Sequence, residues 1–121
     1  MENKKLLGRR GEQAAADYLK KKKYKIVGMN FSCRFGEIDV IAENRDYIVF
    51  VEVKLRKSAQ FAEAKEFVTA AKQQRVMTAA QLWLQRNETE KQPRFDVIEI
   101  YGEQGRIEQI NHIENAFEVE V

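Results

Sequence analysis

The sequence predicts an α/β fold, a central mixed β-sheet flanked by helices, with elements in the order α-β-β-β-α-β-β. Three observations predict it. Residues 6–22 and 69–86 repeat apolar side chains at the spacing of a helix face. Five shorter runs, rich in Val, Ile, Phe and Tyr, have the composition of strands. Two of those runs, "GEIDVIA" (36–42) and "YIVFVEVKLR" (47–56), are separated only by the polar "ENRD", which marks a β-hairpin. The 121 residues are expected to form a single domain, since no linker, internal repeat or low-complexity stretch divides them.

Taken in order, the first helix (6–22) places Leu7, Gly11, Ala14, Ala15, Tyr18 and Leu19 on one face. Glu12 lies at the edge of that stripe, beside Leu19. A carboxylate there either reaches solvent or points into a site that wants it, and position alone favours solvent. A strand follows at 24–31, then the two strands of the hairpin. The second helix (69–86) opens on Thr69, a good N-cap residue, and turns Val76, Ala79, Ala80 and Trp83 inward. Lys72 stands on the same line, one turn before Val76. Past Pro93, "RFDVIEIY" (94–101) reads as a strand, "GEQG" (102–105) as a turn and "RIEQINHI" (106–113) as the last strand.

Composition narrows the function classes. A hydrophobic content of 44% supports one core. No apolar run approaches the roughly 20 residues of a membrane-spanning helix, and the N-terminal stretch lacks the apolar centre of a signal peptide. The lone Cys33 rules out an internal disulfide and suits a reducing compartment, so a cytoplasmic protein without membrane contact is expected. With one histidine, His112, and one cysteine, neither a zinc site nor a Cys–His dyad can be assembled. No glycine-rich phosphate loop is present. The net charge of +2 hides an asymmetry: residues 1–34 hold ten Lys/Arg against three Asp/Glu, the rest eleven against sixteen. A basic region facing an acidic pocket suits a partner rich in phosphate, although a solvated lysine-rich helix end reads the same way.

The charged residues inside the hairpin carry the chemistry. Side chains two apart on a strand share a face. Ile48, Phe50, Glu52 and Lys54 therefore point one way, and Glu37, Asp39 and Ile41 share a face on the preceding strand. A turn at 44–45 pairs Asp39 with Phe50; a longer turn at 44–47 pairs Asp39 with Glu52. Either register is expected to set Asp39, Glu52 and Lys54 on one side of the sheet. Crowded carboxylates repel and are costly to desolvate unless they are paired or bind metal. Mg²⁺ (or Mn²⁺) takes oxygen ligands, and Asp39, Glu52 and the backbone carbonyl of Val53 can provide them. Lys54 can then orient an attacking water or neutralise charge on a transferring phosphoryl group. A lone Glu-x-Lys is usually an exposed ion pair; Asp-x12-Glu-x-Lys across two apolar strands points to function. Elsewhere, Asp96 is expected in a structural ion pair and Trp83 in the core. Phe31, Arg34 and Phe35 form either an aromatic–basic nucleic-acid contact or ordinary packing.

An Asp on one strand followed by Glu-x-Lys on the next resembles the PD-(D/E)xK nuclease superfamily, whose core is restriction-endonuclease-like. More specifically, "GRRGEQAAADYL" (8–19), "GEIDVIA" (36–42), "VFVEVKLR" (49–56), "KQQR" (72–75), "RFDV" (94–97) and "NAF" (115–117) resemble the YraN-like family. These are small bacterial proteins regarded as predicted endonucleases, distantly similar to archaeal Holliday junction resolvases. The resemblance implies that Asp39 and Glu52 bind metal and that Lys54 is the catalytic lysine. It also implies that Glu12 reaches the metal site rather than solvent, and that Glu37 lies just behind the ligands. Lys72 and Gln73 match a basic/polar pair that contacts phosphate, and Arg9, Arg10, Arg34 and Arg56 are expected to join them. The loop 57–67 departs from the family at Ala62, which follows Phe61 where relatives often carry Gly. A homodimer is the assembly that resolvase-like relatives imply.

Two functions remain open at this point, beside a blander third, a protein-interaction domain that binds no nucleic acid. One is a metal-dependent endonuclease acting on DNA, branched DNA included. The other is a non-catalytic nucleic-acid-binding module with a nuclease-like fold. The acid set favours the enzyme, because a pure binder gains nothing from acids near phosphates.

Overall fold

A computed structural model describes residues 4–56, 69–103 and 106–118. Helix α1 (Lys4–Lys21) is followed by strands β1 (Lys25–Cys33), β2 (Gly36–Glu43) and β3 (Tyr47–Arg56). Helix α2 (Ala70–Arg86), β4 (Gln92–Glu103) and β5 (Arg106–Ile113) complete the order α-β-β-β-α-β-β. The five strands form one sheet in the order β1-β2-β3-β4-β5. All neighbours are antiparallel except β3 and β4, which run parallel because α2 carries the chain back between them. This mixed sheet with two helices is consistent with a restriction-endonuclease-like core.

The continuous apolar run of β3 follows from its central place. Ile48 and Phe50 enter one core with Val76, Ala79 and Ala80 of α2, plus Phe95 and Val97 of β4. The alternate residues Val49 and Val51 enter a second core with Ala15 and Leu19 of α1, plus Ile98 and Ile100 of β4. Both faces of β3 are therefore covered, which is why it reads as uniformly hydrophobic. Phe50 is the centre of the α2 core, edge-on to Trp83 at 5.8 Å and stacked on Phe95 at 5.5 Å.

Local chemistry fixes the ends of these elements. Helix α1 closes with Lys23 in the left-handed region at φ 71°, while the Tyr24 N–H donates to the Leu19 carbonyl at 3.0 Å. Consequently Tyr24 is buried beside the helix end, and β1 runs one residue later at its start, and two further at its end, than 24–31. Thr69 caps α2 as expected, its hydroxyl accepting from the Lys72 N–H at 3.2 Å. Pro93 lies inside β4, opposite Ile48, rather than ahead of the strand. Between β2 and β3, Asn44 Oδ1 accepts from the Asp46 and Tyr47 N–H groups at 3.0 and 2.8 Å. That turn selects the longer of the two hairpin registers, with Glu43 opposite Ile48 and Val40 opposite Val51.

Candidate active site

The β2–β3 ladder stops at the Val40–Val51 pair. One residue further, Asp39 does not continue the backbone pairing. Its carboxylate Oδ2 accepts the N–H of Val53 at 2.8 Å, so a side chain stands in for the missing strand partner. The alternation of β2 also breaks here. Ile38 enters the α2 core, whereas Val40, two residues on, enters the α1 core. The strands thus part at Asp39, and the gap opens beside α1.

Three carboxylates meet in that gap. Glu12 of α1, Glu37 and Asp39 each bring one oxygen to within 4.8 Å of the others. Glu12 is half-buried and turns toward the other acids rather than wholly to solvent: its Oε2 is buried and has no hydrogen-bond partner among the described residues. Burial raises the Glu12 carboxyl above its ordinary value; hydrogen bonding from Asn30 opposes the shift and the charge of Glu37 adds to it. Asp39 rises furthest, from 3.8 to about 7, through burial first and the charge of Glu52 second. The Val53 N–H opposes that rise, and Glu12 and Glu37 reinforce it.

Glu52 stands on the neighbouring strand and is only 5% exposed. It lies outside the three-oxygen cluster, and two ammonium groups hold its Oε1: Lys72 of α2 at 2.5 Å and Lys54 at 3.6 Å. Burial and the nearby Lys72 lower the Lys54 ammonium from its ordinary value. Burial acts on Lys72 in the same sense, but its contacts with Glu52 and Lys54 outweigh it and leave Lys72 raised. The arrangement is a carboxylate cluster, exposed at Glu37 and half-buried at Glu12 and Asp39, with a lysine pair on its α2 side.

The remaining expected residues divide. Gln73 is half-buried next to Lys72, and Arg10 is exposed two residues before Glu12. Arg34 is exposed on the β1–β2 turn, its guanidinium 4.8 Å from the Phe35 ring centre. Gly36 anchors that turn against α2, since a Cβ there would lie 3.3 Å from the Arg75 Cβ. Arg56 is drawn to Glu99 at 3.3 Å, along the sheet from the acids. The side chain of Arg9 and the loop 57–67, Ala62 included, lie outside the described residues. Two features were not anticipated. Asn30, at φ 53° on β1, hydrogen-bonds Glu12; only its Asn identity hinted at a left-handed backbone. Glu37 was placed behind the ligands, yet it shares their cluster, as its two-residue spacing from Asp39 allows.

Helix and strand carboxylates around a parted hairpin, with a lysine two residues past the strand glutamate, define a small α/β protein built around an acidic–lysine cluster. The chain belongs to the uncharacterised protein family UPF0102, whose model matches residues 11–100. It is 49% identical over 118 residues to a UPF0102 protein of Caldanaerobacter subterraneus subsp. tengcongensis, covering 95% of this chain and 97% of that one. A UPF0102 protein of Pelotomaculum thermopropionicum is 41% identical, covering 94% and 97%. One of Geobacter metallireducens is 45% identical, covering 95% and 94%. The matched span contains Glu12, Asp39, Glu52, Lys54 and Lys72.

Proposed function

We propose that this protein is a divalent-metal-dependent endonuclease of the PD-(D/E)xK type that hydrolyses phosphodiester bonds in DNA, with branched DNA suggested by its resemblance to Holliday junction resolvases. One observation carries the reading. Burial first, and then the charge of Glu52 with smaller additions from Glu12 and Glu37, holds the Asp39 proton up to about pH 7, while Glu12 keeps a buried oxygen without a partner among the described residues. A fold gains nothing from such crowding by itself, and a divalent cation relieves it.

The donor set fits Mg²⁺ or Mn²⁺. All donors are hard oxygens, and two oxygens sharing one such ion lie at most about 4.2 Å apart, close to the spacing of this cluster. Asp39 and Glu12 would hold the ion, with Glu52 entering from β3 and Glu37 alongside. Val53 adds its carbonyl: in an extended strand the N–H and C=O of one residue face the same neighbour, and the Val53 N–H faces Asp39. When bound, the cation polarises a phosphoryl oxygen and lowers the cost of ionising water. Lys54 would orient the attacking water, a role that its lowered affinity for protons supports. Water adds to phosphorus as the bond to the leaving oxygen breaks, and the leaving oxygen takes a proton. Arg10, Arg34, Lys72 and Gln73 line the approach of the phosphate backbone.

The test is cleavage of labelled duplex, single-stranded, flap and four-way-junction DNA with Mg²⁺, Mn²⁺ or chelator. Cutting that needs metal, and is lost in Glu52→Ala and Lys54→Ala, is the expected result. A second reading is favoured by the engagement of Glu52 with two lysines: a nucleic-acid-binding module that no longer cuts. Equal binding in chelator with no cleavage of any substrate would select it.

A further inference from the structure

Resting on the metal-site reading, we infer that Lys72 is a resident counter-ion of Glu52, a positioning residue that the incoming cation displaces and thereby releases toward the phosphate. Glu52 is 5% exposed, and a carboxylate so buried needs a positive partner. In the structure that partner is chiefly Lys72, at 2.5 Å, and only secondarily Lys54, at 3.6 Å. The same ion pair explains why Glu52 alone among the expected carboxylate ligands stays out of the Glu12–Glu37–Asp39 cluster. Lys72 comes from the first turn of α2, one residue before Gln73, with 42% of its side chain exposed. Its ammonium is therefore able to leave Glu52 for solvent-side phosphate without moving the helix. Lys54 cannot trade places so readily, because it is fixed on the same strand two residues from Glu52. The site then carries its own exchange: positive charge stays on Glu52 throughout, first from the ammonium and then from the cation, and the freed ammonium meets the substrate.

The experiment is Mn²⁺ binding by titration calorimetry, without nucleic acid, on the native protein and on Lys72→Met, Lys72→Arg, Glu52→Gln and Glu52→Gln/Lys72→Met. Lys72→Met is expected to bind Mn²⁺ roughly fivefold more tightly, the size of an ion pair whose lysine is still partly hydrated. Lys72→Arg should stay near native. In the Glu52→Gln background the gain from Lys72→Met should shrink to less than about twofold, the residue of its longer-range attraction to Asp39, because the main effect runs through Glu52. A gain in affinity cannot come from a damaged fold. Unchanged or weaker Mn²⁺ binding in Lys72→Met, with native binding intact, overturns the inference and leaves the metal site standing. Absence of Mn²⁺ binding in every variant overturns both.

Discussion

Asp39 has one neutral partner, the Val53 N–H, and three acidic neighbours. Its raised carboxyl sets a pH dependence whose sign is fixed. A group held protonated to about pH 7 in the folded chain, against 3.8 ordinarily, contributes stability that is complete below the lower value. That contribution is lost as pH rises through about 7. Metal-free protein should therefore melt at a lower temperature at pH 8 than at pH 5.5, and Mn²⁺ should raise the melting point more at pH 8. Thermal melts in chelator and in Mn²⁺ across that range check both statements. Asp39→Asn keeps an oxygen for the Val53 N–H while removing one repelling charge. It should stabilise the metal-free protein at pH 8 by on the order of 1 kcal/mol while abolishing Mn²⁺ binding. Denaturant unfolding paired with calorimetry reads the two effects separately. At this scale the sequence was most informative for acids related by strand parity. Asp39 and Glu37 are two apart, and the position of Asp39 across from Glu52 followed from the longer turn. Glu12 was ambiguous because a residue at the edge of a helix stripe faces solvent or a site depending on where the sheet parts.

Helix α2 delivers Lys72, and its start is fixed by Thr69, whose hydroxyl accepts the Lys72 N–H itself. Thr69→Ala should cost about 1 kcal/mol of stability and loosen the turn that carries Lys72, while Thr69→Ser should restore both. Denaturant midpoints and Mn²⁺ affinity measure the two consequences. The cap and the Val76–Ala79–Ala80 stripe were legible because both are local patterns. The Lys72–Glu52 ion pair was not. Lys72 was read as a phosphate contact, because its meeting with β3 depends on how α2 packs after the crossover, which no periodicity encodes. Arg56 shows the same limit. On β3 alone it was read as a phosphate contact, and its pairing with Glu99 at 3.3 Å, brought alongside by the parallel β4, is not visible there.

Across the whole molecule, two cores share the central strands, and a buried charge network ties the C-terminal segment to them. Asp96, wholly buried, accepts from Arg94 at 2.8 and 2.9 Å and from the Asn115 N–H at 3.0 Å, and pairs with His112 at 2.7 Å. Arg94 also donates to the Tyr24 hydroxyl at 2.7 Å, joining β4 to the end of α1. Past this network the Ala116 N–H donates to the Phe95 carbonyl and Phe117 stacks on Phe95 at 5.1 Å. Asp96→Ala leaves Arg94 only the exposed Glu114 carboxylate at 4.0 Å and should cost about 3 kcal/mol, with Mn²⁺ affinity retained wherever the protein stays folded. Urea unfolding alongside Mn²⁺ titration checks it. A structural ion pair at Asp96 was legible from Arg-x-Asp on one strand face. The part played by His112 and Asn115 was not, since it requires the β4–β5 register and the turn after it.

The most direct measurement of the central claim is the anomalous scattering of Mn²⁺ in crystals of this protein. The account predicts a peak in the gap between β2 and β3, with oxygens of Asp39, Glu12 and Glu52 at about 2.1 Å and Lys72 moved off Glu52. No peak there at saturating Mn²⁺, with Lys72 still paired to Glu52, would contradict it.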